Sequence, residues 1–285
     1  MRATSWNGSR RALIEDCLML ETLIPHLRAS ARLLALIALN ALGAVIVLGM
    51  GLWRRLGGSS AATPAIVQWW FRRVTPILGL RMRVEGQQAK SALIIANHIS
   101  WLDIPVLGAL GPVGFLSKAE IRQWPLIGWM AAQIGTLFIT RGGNQTADLI
   151  ERIETRMREQ RPVVIFAEGT TSDGRQLRGF YPRLLAAGQQ PGVDVQPVAI
   201  RYGTNAEPDL NAPFIDDDTL VESLWRVLCQ PKTEAQVHFL APIVGADLDR
   251  RTLATLCERQ IADALEVPIV ARATAKRRGP EVTTP

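Results

Sequence analysis

A long uncharged run near the N-terminus restricts this chain more than any other feature. Leu33 to Trp53 are 21 consecutive positions without a charge, and Asn40 is the one amide among them. As an α-helix this run would be about 31 Å long, close to the hydrocarbon thickness of a bilayer. It starts late for a cleaved signal peptide, and no small-residue cleavage pattern follows it. The run therefore predicts a membrane-associated helix, with a buried core helix as the alternative.

A second apolar segment follows a hinge rich in Gly, Ser and Ala at residues 57–62. Residues 69–73 read WWFRR, which places aromatic rings next to arginines. Rings prefer the headgroup level of a membrane, and arginines prefer the anionic surface just outside it. We expect an interfacial helix here; an amphipathic helix that covers the folded domain is the alternative. Lys and Arg number five in residues 1–32 and seven in 54–90, a bias that slightly favours a cytoplasmic C-terminal part.

Composition limits the class of protein. With 285 residues, 48% of them hydrophobic and 20% charged, the chain has room for a large core and is not wholly disordered. Three scattered cysteines without a C-x-x-C argue against a disulfide scaffold or a cysteine zinc site. The net charge of +6 suits an anionic partner. Since no nucleic-acid motif accompanies that charge, we expect the partner to be a membrane and not nucleic acid.

The remainder of the chain alternates short apolar runs with helical patterns. The runs predict strands at Ala92–Ala96, Val113–Ser117, Thr136–Thr140, Val163–Ala167, Val195–Arg201 and Ala235–Leu240. Helices are predicted at about 103–110, 119–133, 145–160, 177–187, 219–228 and 249–265. This alternation predicts an α/β fold with a mixed, largely parallel sheet flanked by helices. We expect an N-terminal extension at 1–32, a membrane-associated helical segment at 33–80, a catalytic domain at 81–268 and a disordered basic tail at 269–285.

The first candidate for chemistry is a block of seven residues that starts with Asn97-His98 and ends with Asp103. It directly follows the predicted strand at 92–96, and His98 is the one of three histidines that stands between a strand and a helix. In a single ideal helix the side chains of His98 and Asp103 would point about 140° apart. With His98 in the turn, Asp103 can hold one ring nitrogen and leave the other free to take a proton. A structural histidine beside a helix-capping aspartate is the alternative.

Several familiar motifs are missing from the sequence. It has no G-x-S-x-G elbow, no G-x-G-x-x-G and no P-loop. No second His or Cys stands near His98 to complete a metal site. A base without a nucleophile of its own suggests deprotonation of a substrate hydroxyl or of water, with no metal and no cofactor.

Other polar residues also stand at predicted strand ends. Glu168, Gly169 and Thr170 offer a carboxylate, a hydroxyl and backbone N–H groups that could grip a polyol or an anion, and a plain polar turn is the alternative. Lys118 and Arg141 each follow an apolar run. Two cations at the edge that carries the histidine would form an anion pocket, whereas either one alone is more often a solvated surface charge.

Taken in order, four blocks resemble those of the glycerolipid acyltransferases of the 1-acylglycerol-3-phosphate acyltransferase type. The family's N-H-x4-D block matches residues 97–103, its phenylalanine-isoleucine-x-arginine block matches 138–141, its proline-glutamate-glycine-threonine block matches 167–170 in part, and its closing proline-containing strand matches 195–200. The resemblance is strong over about residues 80–205. Lys118 also stands where the family places a lysine near the substrate phosphate.

The resemblance implies a membrane-bound enzyme of phospholipid biosynthesis. It would transfer an acyl group from acyl carrier protein or coenzyme A to a lyso-lipid hydroxyl, most simply that of 1-acyl-sn-glycerol-3-phosphate, giving phosphatidic acid. His98 would be the base and Asp103 would orient it; Lys118 and Arg141 would hold an anionic headgroup, and Asn97, Glu168, Gly169 and Thr170 would shape the acceptor site. The apolar segments would admit acyl chains, spanning or dipping into the bilayer at the cytoplasmic face of a bacterial inner membrane.

Two positions depart from the family pattern. Ala167 stands where proline is usual, and Thr171 stands where an arginine credited with phosphate contact is common. The sequence EGTTSDG resembles the branch that includes lyso-ornithine lipid acyltransferases and some lysophospholipid remodelling enzymes, so these acceptors are the alternative. Arg175 or Arg178 could replace the missing charge. A thioesterase-like hydrolase with the same base and a non-catalytic lipid-binding protein are the remaining alternatives.

Overall fold

The computed structural model describes residues 4–134, 136–139, 146–159 and 161–271. The chain starts with one helix, α1 (Thr4–Arg55), which joins the predicted extension and the predicted membrane segment without interruption. From Leu23 to Arg55 this helix is long and apolar enough to cross a membrane. Many of its large apolar side chains are exposed, with Leu34 at 67% and Val45 at 65%, although Leu36 and Val47 are buried. A core helix of a soluble domain would bury them, so α1 fits the membrane-associated helix and not the buried alternative.

One face of the second helix, α2 (Thr63–Ile77), packs against the folded domain. Phe71 and Val74 are buried in the domain core, and the Phe71 ring lies so close to Gly108 that a side chain there would collide with it. On the other side Trp69 is exposed, and the Arg73 guanidinium lies 5.5 Å from its ring centroid. The helix thus covers the domain, as the amphipathic alternative predicted, and also presents an aromatic and basic face outward.

The rest of the chain forms an α/β domain around an eight-stranded sheet, as predicted. Its strands are β1 (Leu80–Glu85), β2 (Ala92–Ala96), β3 (Gly114–Lys118), β4 (Leu137–Ile139), β5 (Val163–Phe166), β7 (Asp194–Tyr202), β8 (Thr233–Phe239) and β9 (Ile243–Val244). The spatial order is β1-β8-β7-β2-β5-β3-β4, and β9 pairs with β7. Strand β7 runs antiparallel to β8 and β9, and every other neighbouring pair is parallel. Two short parallel strands, β6 (Leu177–Arg178) and β10 (Ile269–Val270), form a separate ribbon.

Helices cover both faces of the sheet. They are α3 (Asp103–Leu110), α4 (Ile127–Gln133), α5 (Thr146–Arg158), α6 (Leu220–Cys229) and α7 (Arg250–Leu265). All five residues of β2 are buried, with Ile94 and Ala96 packed in the core beside α2, α3 and α6. Leu93 and Ile95 face the opposite core beside α5 and α7. Because a central parallel strand is covered on both faces, all of its residues are apolar, and this unbroken apolar run is the pattern that predicts β2.

The predicted helix over 177–187 is wrong. Residues 177–178 form β6, and Pro182–Gln189 form a 3₁₀ helix. Leu177, Phe180 and Leu185 are all buried, so their spacing imitates the apolar face of a helix. Pro182 lacks a backbone N–H and cannot continue a helix from residue 177. The predicted helix over 119–133 is likewise divided into a 3₁₀ turn at 119–123 and α4 at 127–133, with a proline between them at position 125.

Two boundaries also differ from the expected ones. Strand β1 is not among the predicted strands, because its alternating arginines continue the basic pattern of the expected interfacial segment. In the structure β1 pairs with β8 along its whole length. The expected tail from residue 269 begins two residues too early, since Ile269 and Val270 pair with β6. Residues 272–285 lie outside the described part of the chain.

Candidate active site

The carboxyl ends of β2 and β5 meet at one edge of the sheet. Strand β2 ends at Ala96 and leads into His98, while β5 ends at Phe166 and leads into Glu168. The two strands are parallel neighbours, with Ala96 directly beside Phe166. This is the edge at which open α/β sheets bind their ligands.

His98 and Asp103 are in contact, as the sequence predicted. His98 lies in the turn after β2 and Asp103 is the first residue of α3, so the chain doubles back and brings Nδ1 within 2.7 Å of Oδ2. The imidazole stacks on the Phe166 ring at a centroid distance of 4.0 Å and an angle of 12°. Within the described residues Nε2 has no hydrogen-bond partner, and the His98 side chain keeps 18% of its surface exposed. The ring is therefore held on one side and open on the other.

Asp103 is fully buried and every contact to its carboxylate is a donor. Oδ2 accepts the backbone N–H of Ile99 at 2.8 Å and that of Ser100 at 3.1 Å, besides its contact with His98. Oδ1 accepts the hydroxyl of Tyr202 at 2.8 Å. Since a carboxylate accepts hydrogen bonds, we assign the hydrogen of this contact to Nδ1, which leaves Nε2 with a lone pair.

Tyr202 is a site residue that the sequence did not reveal. It is the last residue of β7 and lies 99 positions from its partner Asp103. Burial, the negative charge of Asp103 and the hydrogen bond to it raise the pKa of Tyr202 well above its usual value. A tyrosine at the end of an apolar strand is an ordinary core residue in a sequence, so no local pattern could have marked it.

The carboxyl group of Glu168 holds the backbone of His98. Its Oε1 accepts the backbone N–H of His98 at 2.7 Å, and its Oε2 accepts that of Arg178 at 3.1 Å. Only 3% of Glu168 is exposed. Burial raises its pKa to about 7, and the charge of nearby Asp103 adds to this, although the two backbone hydrogen bonds act in the opposite direction. The predicted acceptor-site carboxylate thus has both oxygens engaged by the protein backbone.

Asn97, which was predicted to bind the substrate, connects the end of β2 to β7 through its side-chain amide. Its amide nitrogen donates to the carbonyl of Ile200 at 2.9 Å, and its oxygen accepts the Ile200 N–H at 2.8 Å. The residue is buried beside β7. These contacts make Asn97 a clamp between the end of β2 and the C-terminal half of β7, and its role in substrate binding stays a prediction.

Replacing Asn97 by alanine is expected to lower the free energy of unfolding by about 2 kcal/mol, because it leaves a buried N–H and a buried C=O of Ile200 unpaired. Chemical denaturation in detergent measures the change. The exposed Asn205→Ala substitution, which removes a surface contact to Glu266, is the matched control. An unchanged midpoint for Asn97→Ala would contradict the clamp.

The loop after Glu168 is fastened to two neighbouring segments. Gly169 has a φ of +70°, and a side chain there would collide with the ring of Tyr181. The Thr171 hydroxyl donates to the carbonyl of Phe214, while the Phe214 N–H donates to the carbonyl of Ile99 at 3.0 Å. The contacts place the EGTT loop, the turn after His98 and the loop before α6 against one another. Thr170 lies half-buried at this junction.

Of the two predicted cations, Lys118 is the one whose backbone is described, and it lies at the same edge. Lys118 is the last residue of β3, which is parallel to β5 and β4. Strand β4 ends at Ile139, and Arg141 lies outside the described residues. Within the described ranges, no group of three or more His, Cys, Asp or Glu side chains could hold a metal ion.

Comparison with known proteins agrees with this geometry. Residues 81–201 match the family model "Acyltransferase". The chain is 42% identical over 244 residues to the lyso-ornithine lipid O-acyltransferase of Pseudomonas aeruginosa, covering 83% of this chain and 92% of that protein. It is 33% identical over 177 residues to the 1-acyl-sn-glycerol-3-phosphate acyltransferase of Neisseria meningitidis, covering 61% of this chain and 69% of that protein.

The fold also has a solved counterpart. The crystal structure of the 1-acyl-sn-glycerophosphate acyltransferase of Thermotoga maritima superposes with a TM-score of 0.63 at 20% identity, covering 85% of this chain and 97% of the other. At 20% identity this likeness shows the fold alone, whereas the more similar relatives named above show the family. The chain belongs to the acyltransferase family that includes the 1-acylglycerol-3-phosphate acyltransferases, and it is a membrane-associated lipid acyltransferase.

Proposed function

We propose that the enzyme transfers an acyl group from a thioester to the free hydroxyl of lyso-ornithine lipid, with His98 as the general base. The observation that carries the chemistry is the His98–Asp103 pair, held at 2.7 Å with Nε2 open at the edge of the sheet. The choice of acceptor is supported by the similarity to the Pseudomonas aeruginosa enzyme over 92% of its length. It is also supported by Thr171, which offers no charge for a phosphate.

The reaction follows from a positioned base whose ring contacts no Ser, Thr or Cys side chain within the described residues. Nε2 of His98 takes the proton of the acceptor hydroxyl while the oxygen attacks the thioester carbonyl. The new C–O bond forms, the C–S bond breaks, and the imidazolium returns the proton to the leaving thiolate. Asp103 stabilises the imidazolium and keeps the ring in the reactive tautomer. No acyl-enzyme intermediate forms in this scheme.

The substrates are assigned to the same edge of the sheet. Lys118, the last residue of β3, and Arg141, which follows β4 in the sequence, would bind the anionic part of the headgroup. Gly169 and Thr170 would border the acceptor, whereas Glu168 would hold the backbone of His98. Acyl carrier protein or coenzyme A would deliver the acyl group without a cofactor or metal. The apolar helix α1 would place this edge at the cytoplasmic face of a bacterial inner membrane.

Purified enzyme in detergent, incubated with labelled acyl-acyl carrier protein or acyl-coenzyme A, tests this assignment. The acceptors are lyso-ornithine lipid, 1-acyl-sn-glycerol-3-phosphate, other lysophospholipids, or none. We expect the highest kcat/KM with lyso-ornithine lipid. A preference for another lyso-lipid would move the acceptor assignment and leave the chemistry intact. Release of free fatty acid without any transfer would contradict the acyltransferase scheme and favour a hydrolase.

Phosphatidic acid synthesis is the second candidate, favoured by the 33% identity to the Neisseria meningitidis enzyme. Replacing Thr171 by arginine supplies the cation that the family commonly has there. We expect this change to raise kcat/KM for 1-acyl-sn-glycerol-3-phosphate relative to lyso-ornithine lipid by about tenfold, because an arginine–phosphate hydrogen bond is charge-assisted. Thr171→Gln, which is long but uncharged, is the control. An equal ratio for the Arg and Gln variants would show that charge at this position does not select the acceptor.

A further inference from the structure

The carboxylate of Asp103 is held from both sides. His98 binds Oδ2 at 2.7 Å, and the hydroxyl of Tyr202 binds Oδ1 at 2.8 Å. Tyr202 is 3% exposed and its backbone pairs with Ala235 on β8. The tyrosine therefore cannot touch a substrate that enters from the His98 side; what it touches is the group that orients the base.

We propose that Tyr202 is a positioning residue that sets the basicity of His98 through Asp103. The inference rests on the proposed role of His98 as the base. Each donor that binds a carboxylate draws off part of its negative charge. The hydrogen bond from Tyr202 thus weakens the pull of Asp103 on the imidazolium. It thereby favours the uncharged imidazole, which is the form that can accept the proton of a hydroxyl.

The direction of this hydrogen bond is fixed. Burial and the charge of Asp103 raise the pKa of Tyr202 well above its usual value, so the phenol stays protonated and donates at every working pH. Among the described residues, Glu168, from the loop after β5, acts on Asp103, and Asp209, from the loop after β7, acts on Tyr202. Both are unchanged in a Tyr202 variant, so their effects are common to the two enzymes under comparison.

Tyr202→Phe tests the proposal because it removes the hydroxyl and leaves the ring. We expect the acid limb of the kcat/KM profile to move to higher pH by about 0.5–1 unit. The loss of rate should be largest on the acid limb and small at pH values above it, with the KM for the acceptor little changed. A purely structural tyrosine would lower activity by the same factor at every pH, and an unmoved limb would overturn the inference.

Ser223→Ala is the matched control. Ser223 is fully buried, and its hydroxyl accepts the indole N–H of Trp101 at 3.0 Å in the same turn. This change also removes a buried hydroxyl beside the site but leaves the carboxylate of Asp103 untouched. Its acid limb is therefore expected to stay at the wild-type position, whatever happens to the absolute rate. A shift equal to that of Tyr202→Phe would show that any loosening of this turn moves the profile, and would also overturn the inference.

A second measurement decides the question if Tyr202→Phe does not fold. The chain has two tyrosines, so in a Tyr181→Phe background global 3-fluorotyrosine labels Tyr202 alone. The fluorinated phenol is the stronger donor and should move the acid limb to lower pH. His98→Ala separates the two levels of argument: if it kills transfer while neither Tyr202 change moves the limb, only this inference fails. If His98→Ala retains full activity, the proposed base fails first.

Discussion

Replacing His98 by alanine is expected to lower kcat for acyl transfer by about 10²- to 10⁴-fold, the usual contribution of a positioned general base. The imidazole is the one group at this edge whose proton-accepting nitrogen is unoccupied in the described structure, while its other nitrogen is held at 2.7 Å by Asp103. The KM for the acceptor should change little, because the headgroup contacts are assigned to other residues. Steady-state rates with a labelled thioester and saturating lyso-lipid measure the effect.

His238→Ala is the matched control for that experiment. His238 lies on β8, and its Nδ1 is 3.2 Å from the carboxylate of Glu85 on β1, so it is also a histidine beside an acid. Strand β7 separates β8 from β2 in the sheet. Its removal should leave kcat within about twofold of wild type, because His238 makes no contact with His98, Asp103 or Glu168 in the described structure. Comparable losses in both variants would point to damage of the fold and not to a missing base.

A double variant sharpens the same prediction. Residues that act as one catalytic unit show losses that do not add. Asp103→Asn alone should be severely impaired, because an amide cannot hold the histidine in the required tautomer. In a His98→Ala background the same change should cost little further activity. Fully additive losses would mean that Asp103 acts on the reaction by some route other than His98.

The position of the site could be predicted from the sequence more accurately than the roles of the individual residues in it. The apolar strand β2, the turn at His98 and the helix start at Asp103 are consecutive in the chain, so local rules predicted their contact. The partners of Asn97 and Tyr202 are about a hundred positions away. Which strands lie side by side decides such contacts, and the strand order β7-β2-β5 is a property of the whole fold.

Similar reasoning explains the errors in the fold. Residues 177–187 carry apolar side chains at helical spacing. The backbone N–H of Phe180, however, donates to the side chain of Glu258 on α7 and not to a backbone carbonyl within a helix of its own segment. Strand β1 has exposed arginines and is recognisable only through its pairing with β8. Periodicity reports which face of a segment is buried, and it does not report which neighbour covers that face.

Glu168 provides the second large effect, a pH dependence of stability. Burial raises its pKa in the folded protein to about 7, from an ordinary value of 4.5. The folded state then binds this proton more tightly than the unfolded state does. The resulting stabilisation is fully present below about pH 4.5 and is lost as the pH rises through about 7. The two pKa values correspond to a total of about 3 kcal/mol.

Glu168→Gln removes this titration while it keeps the shape of the side chain. We expect the free energy of unfolding of the wild type, measured relative to this variant, to fall between about pH 4.5 and 7 and to stay level above that range. Glu234→Gln is the control: Glu234 lies half-buried on β8, and the hydrogen bond from Lys232 lowers its pKa, so its removal cannot produce the same curve. A difference between wild type and Glu168→Gln that is flat with pH would contradict the buried, proton-holding carboxyl.

The same variant should also reach the active site. Both oxygens of Glu168 accept backbone N–H groups, one from His98 and one from Arg178. A glutamine has one acceptor oxygen, so its NH₂ group must face one of those N–H donors. If it faces His98, the turn that carries the base is pushed from its position. We therefore expect a lower kcat without a matching rise in the acceptor KM, measured near pH 5.5, where the wild-type carboxyl is largely protonated and the comparison is between two neutral side chains.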